Sequence, residues 1–363
     1  MVLYRFTLFL LLLIIAVSCS RDPKTSKQVF YYNQPDGIRT LDPAYAKSQP
    51  VMWAVHQLYN TLLEVDSNLQ IKPSLATRWE SDPNGLVYTF YLRRDVFFHD
   101  HNVFPGGKGR RLTAYDVAYS LHRILDPGVA SPGAWIFNGR VDTLQPFKAV
   151  NDSVFQLRLL APCHPILGIL SMQYCSVVPR EAVEKFGKDF GRNPVGSGPF
   201  VFKAWEEGQS LIMLRNTNYF EMNSAGQRLP CLDAISVSFL DNKAAEFLEF
   251  QQGRLDFIND IDANFKDEIL TRKGELKDEW RSRINLQKHP YLNTEYLGIL
   301  SDTTNPLMKN SPLRMKKVRQ AMNHAIDRRK LMVYLRNSIG TPAENGFVPK
   351  GLPGFSNQEI KGY

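Results

Sequence analysis

Apolar and polar positions alternate with different periods along the chain, and the periods predict its elements. Val29-Phe30-Tyr31-Tyr32 reads as a strand, with a turn at Pro35-Asp36-Gly37. Residues 51–63 carry Val51, Val55, Leu58, Tyr59 and Leu62 on one helical face. From Leu86 to Arg93 the period drops to two, placing Leu86, Tyr88, Phe90 and Leu92 on one face of a strand. Thr113-x-x-Asp116 has the form of a capping box, followed by the stripe Val117, Leu121, Ile124 and Leu125. Further strands are predicted at Val154–Leu159, Phe200–Trp205, Ser210–Arg215, Ile235–Leu240 and Leu255–Ile258. Lys243 to Gln252 predicts a helix with Ala244, Phe247 and Leu248 inward, stopped by Gly253, since glycine accepts the left-handed conformation. Ser311-Pro312 opens another helix with Val318, Met322 and Ala325 inward. Asp327 caps a last helix, Arg328 to Asn337, which Gly340 ends. Strands and helices intermix, so the class is α/β or α+β with more than one lobe.

Length and composition agree. The chain has 363 residues, room for two to three domains at roughly 150 residues each. At 44% hydrophobic and 22% charged residues, collagen-like, coiled-coil and wholly disordered readings are excluded. No apolar run reaches the roughly 18 residues of a spanning helix.

The formal charge of +8 invites a nucleic-acid reading, but its distribution argues otherwise. Residues 301–363 hold eleven basic and four acidic side chains, nearly the whole excess, and no nucleic-acid motif accompanies them. Of four cysteines, Cys19, Cys163, Cys175 and Cys231, none has metal spacing. Cys163 and Cys175 flank a short apolar stretch and can form a local disulfide in an oxidising compartment, or remain two buried thiols. Trp53, Trp79, Trp135 and Trp205 read as core residues.

The first residues decide that compartment. Arg5 precedes a twelve-residue apolar core, Phe6 to Val17, too short to span a membrane and suited to a secretory signal. Ala16-Val17-Ser18-Cys19 then resembles a lipobox, although Ala16 stands where leucine is usual. In that reading residues 1–18 are a signal peptide, Cys19 carries the lipid and residues 19–27 are a tether. Soluble secretion is the alternative, because Ala16-Val17-Ser18 also suits ordinary signal peptidase.

Catalytic signatures are missing. The chain has no G-x-S-x-G, H-E-x-x-H, G-x-x-x-x-G-K-[ST] or G-x-G-x-x-G. Gly106-Gly107-Lys108-Gly109 has the wrong spacing for a phosphate cradle and reads as a surface turn. His99-Asp100-His101 offers two imidazoles, but no third ligand is identifiable, so no metal site and no cofactor are expected. The residues end at an exported, multi-lobed α/β protein without a visible catalytic motif.

Several segments in fixed order carry a more specific signal. They are Leu41-Asp42-Pro43, Gln57-Leu58-Tyr59-Asn60-Thr61-Leu62, Pro73 to Glu80, Tyr88 to Arg93 with Phe98-His99-Asp100, and Leu112 to Val117. Pro194 to Phe200, Leu214 to Phe220, Val318 to Met322 and Ala325 to Arg328 complete the series. Together they resemble the extracytoplasmic substrate-binding proteins of ABC importers, family 5, the oligopeptide- and dipeptide-binding type. The segment Asn102 to Arg111 is an insertion relative to that pattern.

The resemblance implies a two-lobed periplasmic-binding-protein fold (type II, clamshell) with an extra α+β domain. Residues 28–62 and 188–288 would form lobe I, 63–187 the additional domain, and 289–363 the start of lobe II. Leu292 to Gly298 would be a strand crossing the hinge. It further implies a monomer, lipid-anchored outside the cytoplasmic membrane in the periplasm or at the cell surface, that captures peptides and meets an ABC permease with its ATPase. Candidate ligand-binding residues are Ala44, Tyr45, Ser197, Gly198, Asn293, Thr294 and Tyr296; core packing for the tyrosines and a plain turn at Gly198-Pro199 stay open. Family members are longer, which implies a C-terminally truncated fragment that closes poorly alone. Nickel, haem or a sugar on the same fold, and a secreted hydrolase, are the rival readings.

Overall fold

The computed structural model describes residues 27–262, 264–352, 354–356 and 358. The chain divides into two compact units, one ending at Ile258 and one beginning at Asn259. The expected signal peptide and Cys19 lie outside the described residues.

In the first unit β1 (Val29–Asn33) is separated in sequence from the strands it joins. It pairs in parallel with β10 (Ala234–Ser238), Val29 opposite Ala234. Next to β10 runs β9 (Ser210–Arg215), antiparallel, which forms a hairpin with β8 (Phe200–Glu206). The order is β1-β10-β9-β8. Leu211 and Met213 of β9 are buried while Leu214 is exposed, the alternation of a sheet with one covered face. A second four-stranded sheet is wholly antiparallel, in the order β4 (Ala76–Ser81), β5 (Val87–Leu92), β7 (Val154–Arg158), β6 (Phe147–Asn151). A two-stranded ribbon, β2 (Leu63–Val65) with β3 (Ile71–Pro73), lies between them in the chain.

Two helices organise this unit. Helix α1 spans Gln49–Leu58 and buries Val51, Ala54, Val55 and Leu58. Helix α2 spans Ala114–Leu125, and its capping box forms as the sequence predicts: Thr113 N–H donates to Asp116 Oδ2 at 2.8 Å. It packs on β6, where His122 meets Phe147 edge-on at 5.0 Å. One continuous core runs through the unit from Tyr32 to Val237. Trp53, Trp79 and Trp205 pack against it; Trp135 instead is 56% exposed.

Several elements differ from expectation. Leu255–Ile258 forms no strand: Asp256 N–H reaches Tyr31 O at 2.8 Å, but its carboxylate takes the Tyr31 N–H, so only the Tyr32–Phe257 bridge forms. Helix α3 (Lys243–Gln251) buries Phe247 as expected, with Gly253 following at φ +70°. Ala244 and Leu248 are exposed, and Glu246 is buried in their place, accepting from Asn33 Nδ2 at 3.0 Å and Lys243 Nζ at 2.8 Å.

In the second unit Ser311-Pro312 opens a short 3-10 turn, Pro312–Arg314, and α4 proper is Lys316–Ala325. Helix α5 follows as Arg328–Arg336, with Asp327 Oδ1 accepting from Lys330 N–H at 2.9 Å. Its end is set by Asn337, left-handed at φ 45°, three residues before Gly340. The stripe of α4 is not buried: Met322 is 40% exposed. Residues 284–302 contain no helix or strand, so the strand expected at Leu292–Gly298 is not formed. Among the described residues no helix is long and apolar enough to cross a membrane.

Candidate functional site

Further along the chain from β1, Pro43–Tyr45 forms a 3-10 turn, which Asp42 caps by accepting from Ala44 N–H at 3.0 Å. The same carboxylate takes a two-pronged grip from Arg123 of α2, at 2.8 and 3.2 Å. Both side chains are nearly dry, 8% and 10% exposed. The guanidinium also lies over the Phe190 ring, 5.5 Å from its centre. Beyond the pair, Ser131 Oγ donates to Ala44 O and Tyr45 Oη donates to Val129 O. Ala44 is therefore buried, whereas the Tyr45 side chain stays 37% exposed. Beside the pair, Tyr59 Oη and Arg123 Nε are buried without a hydrogen-bond partner. Burial first, and the Asp42 charge second, push the Tyr59 phenol well above its ordinary pKa.

The second candidate segment, Pro194 to Pro199, is held from three sides. Gly198 N–H donates to Leu58 O at the end of α1, 2.9 Å away. Ser197, 1% exposed, gives its hydroxyl to Asn60 Oδ1 at 3.1 Å, and Asn60 Nδ2 donates to Tyr219 Oη at 3.0 Å. Asn216 Nδ2 donates to Gly198 O at 2.9 Å. From the other side comes His99: its N–H donates to Gly196 O at 2.7 Å, and Nε2 lies 2.9 Å from Gly198 O. The need for glycine is geometric. A Cβ at 198 would sit 2.5 Å from Leu58 C and 2.6 Å from Gln57 O, and one at 196 would sit 1.9 Å from Leu58 O. The close neighbour that requires glycine here is the chain's own backbone.

Asn293, Thr294 and Tyr296 lie in the second unit, within the segment without helix or strand. Thr294 Oγ1 donates to Phe347 O at 2.8 Å, and Tyr296, 69% exposed, meets Phe347 edge-on at 5.1 Å. Asn293 is exposed.

The histidine segment has no ligand geometry. His99 is committed to the glycine turn. Asp100 accepts from Lys108 Nζ at 2.6 Å and from Gly109 N–H at 2.9 Å, and His101 Nδ1 accepts from Val103 N–H at 3.2 Å. Among the described residues no group of three or more acidic, histidine or cysteine side chains could hold a metal ion. The inserted loop is tied down by Arg110, which donates to both Asp116 and Glu181 at 2.6 Å. Cys163, Cys175 and Cys231 are free thiols; burial raises the Cys175 pKa, and its Sγ lies 3.4 Å from Ile169 O. A surface hollow of about 430 Å³ between Arg94, Arg111, Tyr115 and Asp152 touches none of the candidate residues.

The sequence motifs contain Asp42 and Asn60 but do not reveal Arg123 as the partner of Asp42, Ser131 as the partner of Ala44, or Asn216 as the partner of Gly198. Periodicity carries no signal for such pairs, since 81 residues separate Asp42 from Arg123.

A family model, bacterial extracellular solute-binding proteins, family 5 (middle), matches residues 70–363. The chain is 28% identical over 307 residues to haem-binding protein A of Haemophilus influenzae, covering 81% of this chain and 52% of that protein. It is 26% identical over 322 residues to the dipeptide-binding protein of Escherichia coli, covering 84% and 55%. A solved structure, the Helicobacter pylori periplasmic binding protein DppA in complex with the peptide STSA, superposes with a TM-score of 0.73 at 24% identity, covering 92% of this chain and 63% of that one. The chain thus spans about half the length of the curated relatives it matches, and it shares the mixed α/β fold of two-lobed periplasmic binding proteins.

Proposed function

This chain belongs to the bacterial extracellular solute-binding proteins of family 5, and we propose that it captures peptides outside the cytoplasmic membrane and hands them to the permease of an ABC importer. The observation that carries the reading is the family match over residues 70–363 together with the relative named for dipeptides. No bond is made or broken in this role. An extended peptide gains affinity from main-chain hydrogen bonds, while roomy hydrated pockets accept varied side chains. Ala44, Tyr45, Ser197, Gly198, Asn293, Thr294 and Tyr296 are the residues assigned to the ligand. Residues 28–62 with 188–288 are assigned to one lobe, 63–187 to the additional domain and 289–363 to the second lobe. For capture to drive closure, the peptide must bind the closed form better than the open one.

Export and anchoring through a lipid on Cys19 extend the proposal, supported by the apolar segment Phe6–Val17 and Ala16-Val17-Ser18-Cys19. A Cys19→Ser chain should leave the membrane fraction; retention there would contradict the anchor. Haem capture is the second reading, favoured by the relative named for haem.

A peptide that binds only the folded state should raise the melting temperature in a concentration-dependent way. The gain is about 2.7 kcal/mol at a hundredfold excess over Kd. Absence of any such shift across a mixed peptide library would count against peptide capture.

A further inference from the structure

We propose that His99 is the positioning residue of the Gly196–Pro199 turn, a neutral imidazole latch that fixes the turn's peptide planes for ligand capture. The assignment rests on the peptide-capture reading for its functional half and on geometry for the rest. Three contacts bind one residue to one turn. His99 N–H donates to Gly196 O at 2.7 Å, Gly196 N–H points to Nδ1 at 3.4 Å, and Nε2 lies 2.9 Å from Gly198 O. A carbonyl cannot donate, so Nε2 carries the proton and donates to it. A backbone N–H cannot accept, so Nδ1 is the bare nitrogen. The contacts therefore select a single tautomer of the neutral ring.

Protonation would place a second N–H at Nδ1 facing the Gly196 N–H, donor against donor, and would undo that side of the latch. The surroundings supply little to stabilise a cation there. His99 is 4% exposed, and burial holds its pKa down at about 4. The charged group acting on it is Asp100, already taken by Lys108 and the Gly109 N–H. Arg215, which lines the same small hollow as His99, is paired with Asp233. Against the turn itself lie Leu58 O and Tyr59, whose phenol burial keeps protonated.

His99 stands between the antiparallel sheet and the loop Asn102–Arg111, whereas the turn it grips precedes β8 of the other sheet. The turn is thus aligned from outside its own sheet, 99 residues away in sequence.

Hydrogen exchange of the peptide covering residues 194–199, read by mass spectrometry on the full chain, tests the latch. Peptide affinity is measured in parallel. His99→Phe should speed exchange at the turn about tenfold, the effect of one net buried hydrogen bond, and weaken peptide binding similarly. His99→Gln, which keeps a donor for Gly198 O, should recover most of both. If His99→Phe fails to fold, pH replaces it: lowering pH toward 4 should loosen the turn in the wild type but not in His99→Gln. An unchanged turn in His99→Phe, or identical pH responses of wild type and His99→Gln, overturns the latch. A turn that loosens without loss of peptide affinity overturns its role in capture. Should the wild type bind no peptide at all, the capture reading fails, while the exchange result still decides the latch.

Discussion

Replacing Asp42 by asparagine removes one charge and almost no volume. Asparagine keeps the Oδ1 that caps Ala44, so the 3-10 turn retains its hydrogen bond. What changes is Arg123, left as a cation 10% exposed with no anion beside it. Breaking a buried pair from one side costs about 3–5 kcal/mol, because the remaining charge has lost both water and partner. No large discount for solvent screening applies, since both side chains are nearly dry. At about 2–4 °C per kcal/mol for a unit of this size, the melting temperature should fall by about 6–20 °C. Urea unfolding followed by tryptophan fluorescence gives the same quantity as a shift in midpoint at unchanged slope. The double variant Asp42→Asn with Arg123→Met leaves no buried charge and should recover most of the loss. A cost below about 1 kcal/mol for Asp42→Asn, or a double variant as damaged as the sum of the singles, would refute the claim that this pair fastens the turn.

Three further outcomes follow from the same geometry. His99, with its folded pKa lowered from 6.5 to about 4, binds fewer protons folded than unfolded between those values. Its stability contribution of about 3 kcal/mol is therefore complete above pH 6.5 and lost as pH falls to about 4; urea midpoints of wild type and His99→Gln should converge over that window, and parallel curves would contradict it. Gly198→Ala should destabilise by about 3 kcal/mol, because the new Cβ meets backbone atoms of Gln57, Leu58 and Tyr59 at 2.5–2.6 Å; a change below about 0.5 kcal/mol by urea titration would mean the helix end can yield. Maleimide labelling of the reduced protein should modify exposed Cys231 first, Cys163 next and buried Cys175 only on unfolding; early modification of Cys175, read by peptide mass mapping, would contradict its burial.

Elements with a clean period were legible in the sequence. The alternation Tyr88, Phe90, Leu92 marks β5, and α2 is marked by the stripe Val117, Leu121 and Ile124, three side chains that are 0–1% exposed. Strand β6 was not legible, because Val150 faces outward at 47% exposure beside inward Phe147 and blurs the period. For α4 the stripe showed which face is apolar, yet burial also depends on what stands opposite, and Met322 remains exposed. The inward face of α3 was misread for a related reason: buried Asn33 needs a polar partner, and Glu246 supplies it. At the candidate site the segments Asp42-Pro43, Asn60 and Gly196 to Pro199 were legible as motifs in order. Their mutual bonds were not, because a hydrogen bond between residues 99 positions apart leaves no mark on local composition.

The central claim is that this chain binds peptides without cleaving them. Native mass spectrometry after incubation with equal amounts of mixed di- to pentapeptides, glutathione and haem tests it most directly. Bound masses matching intact peptides are expected. Cleaved peptides, or haem as the retained ligand, would contradict the claim.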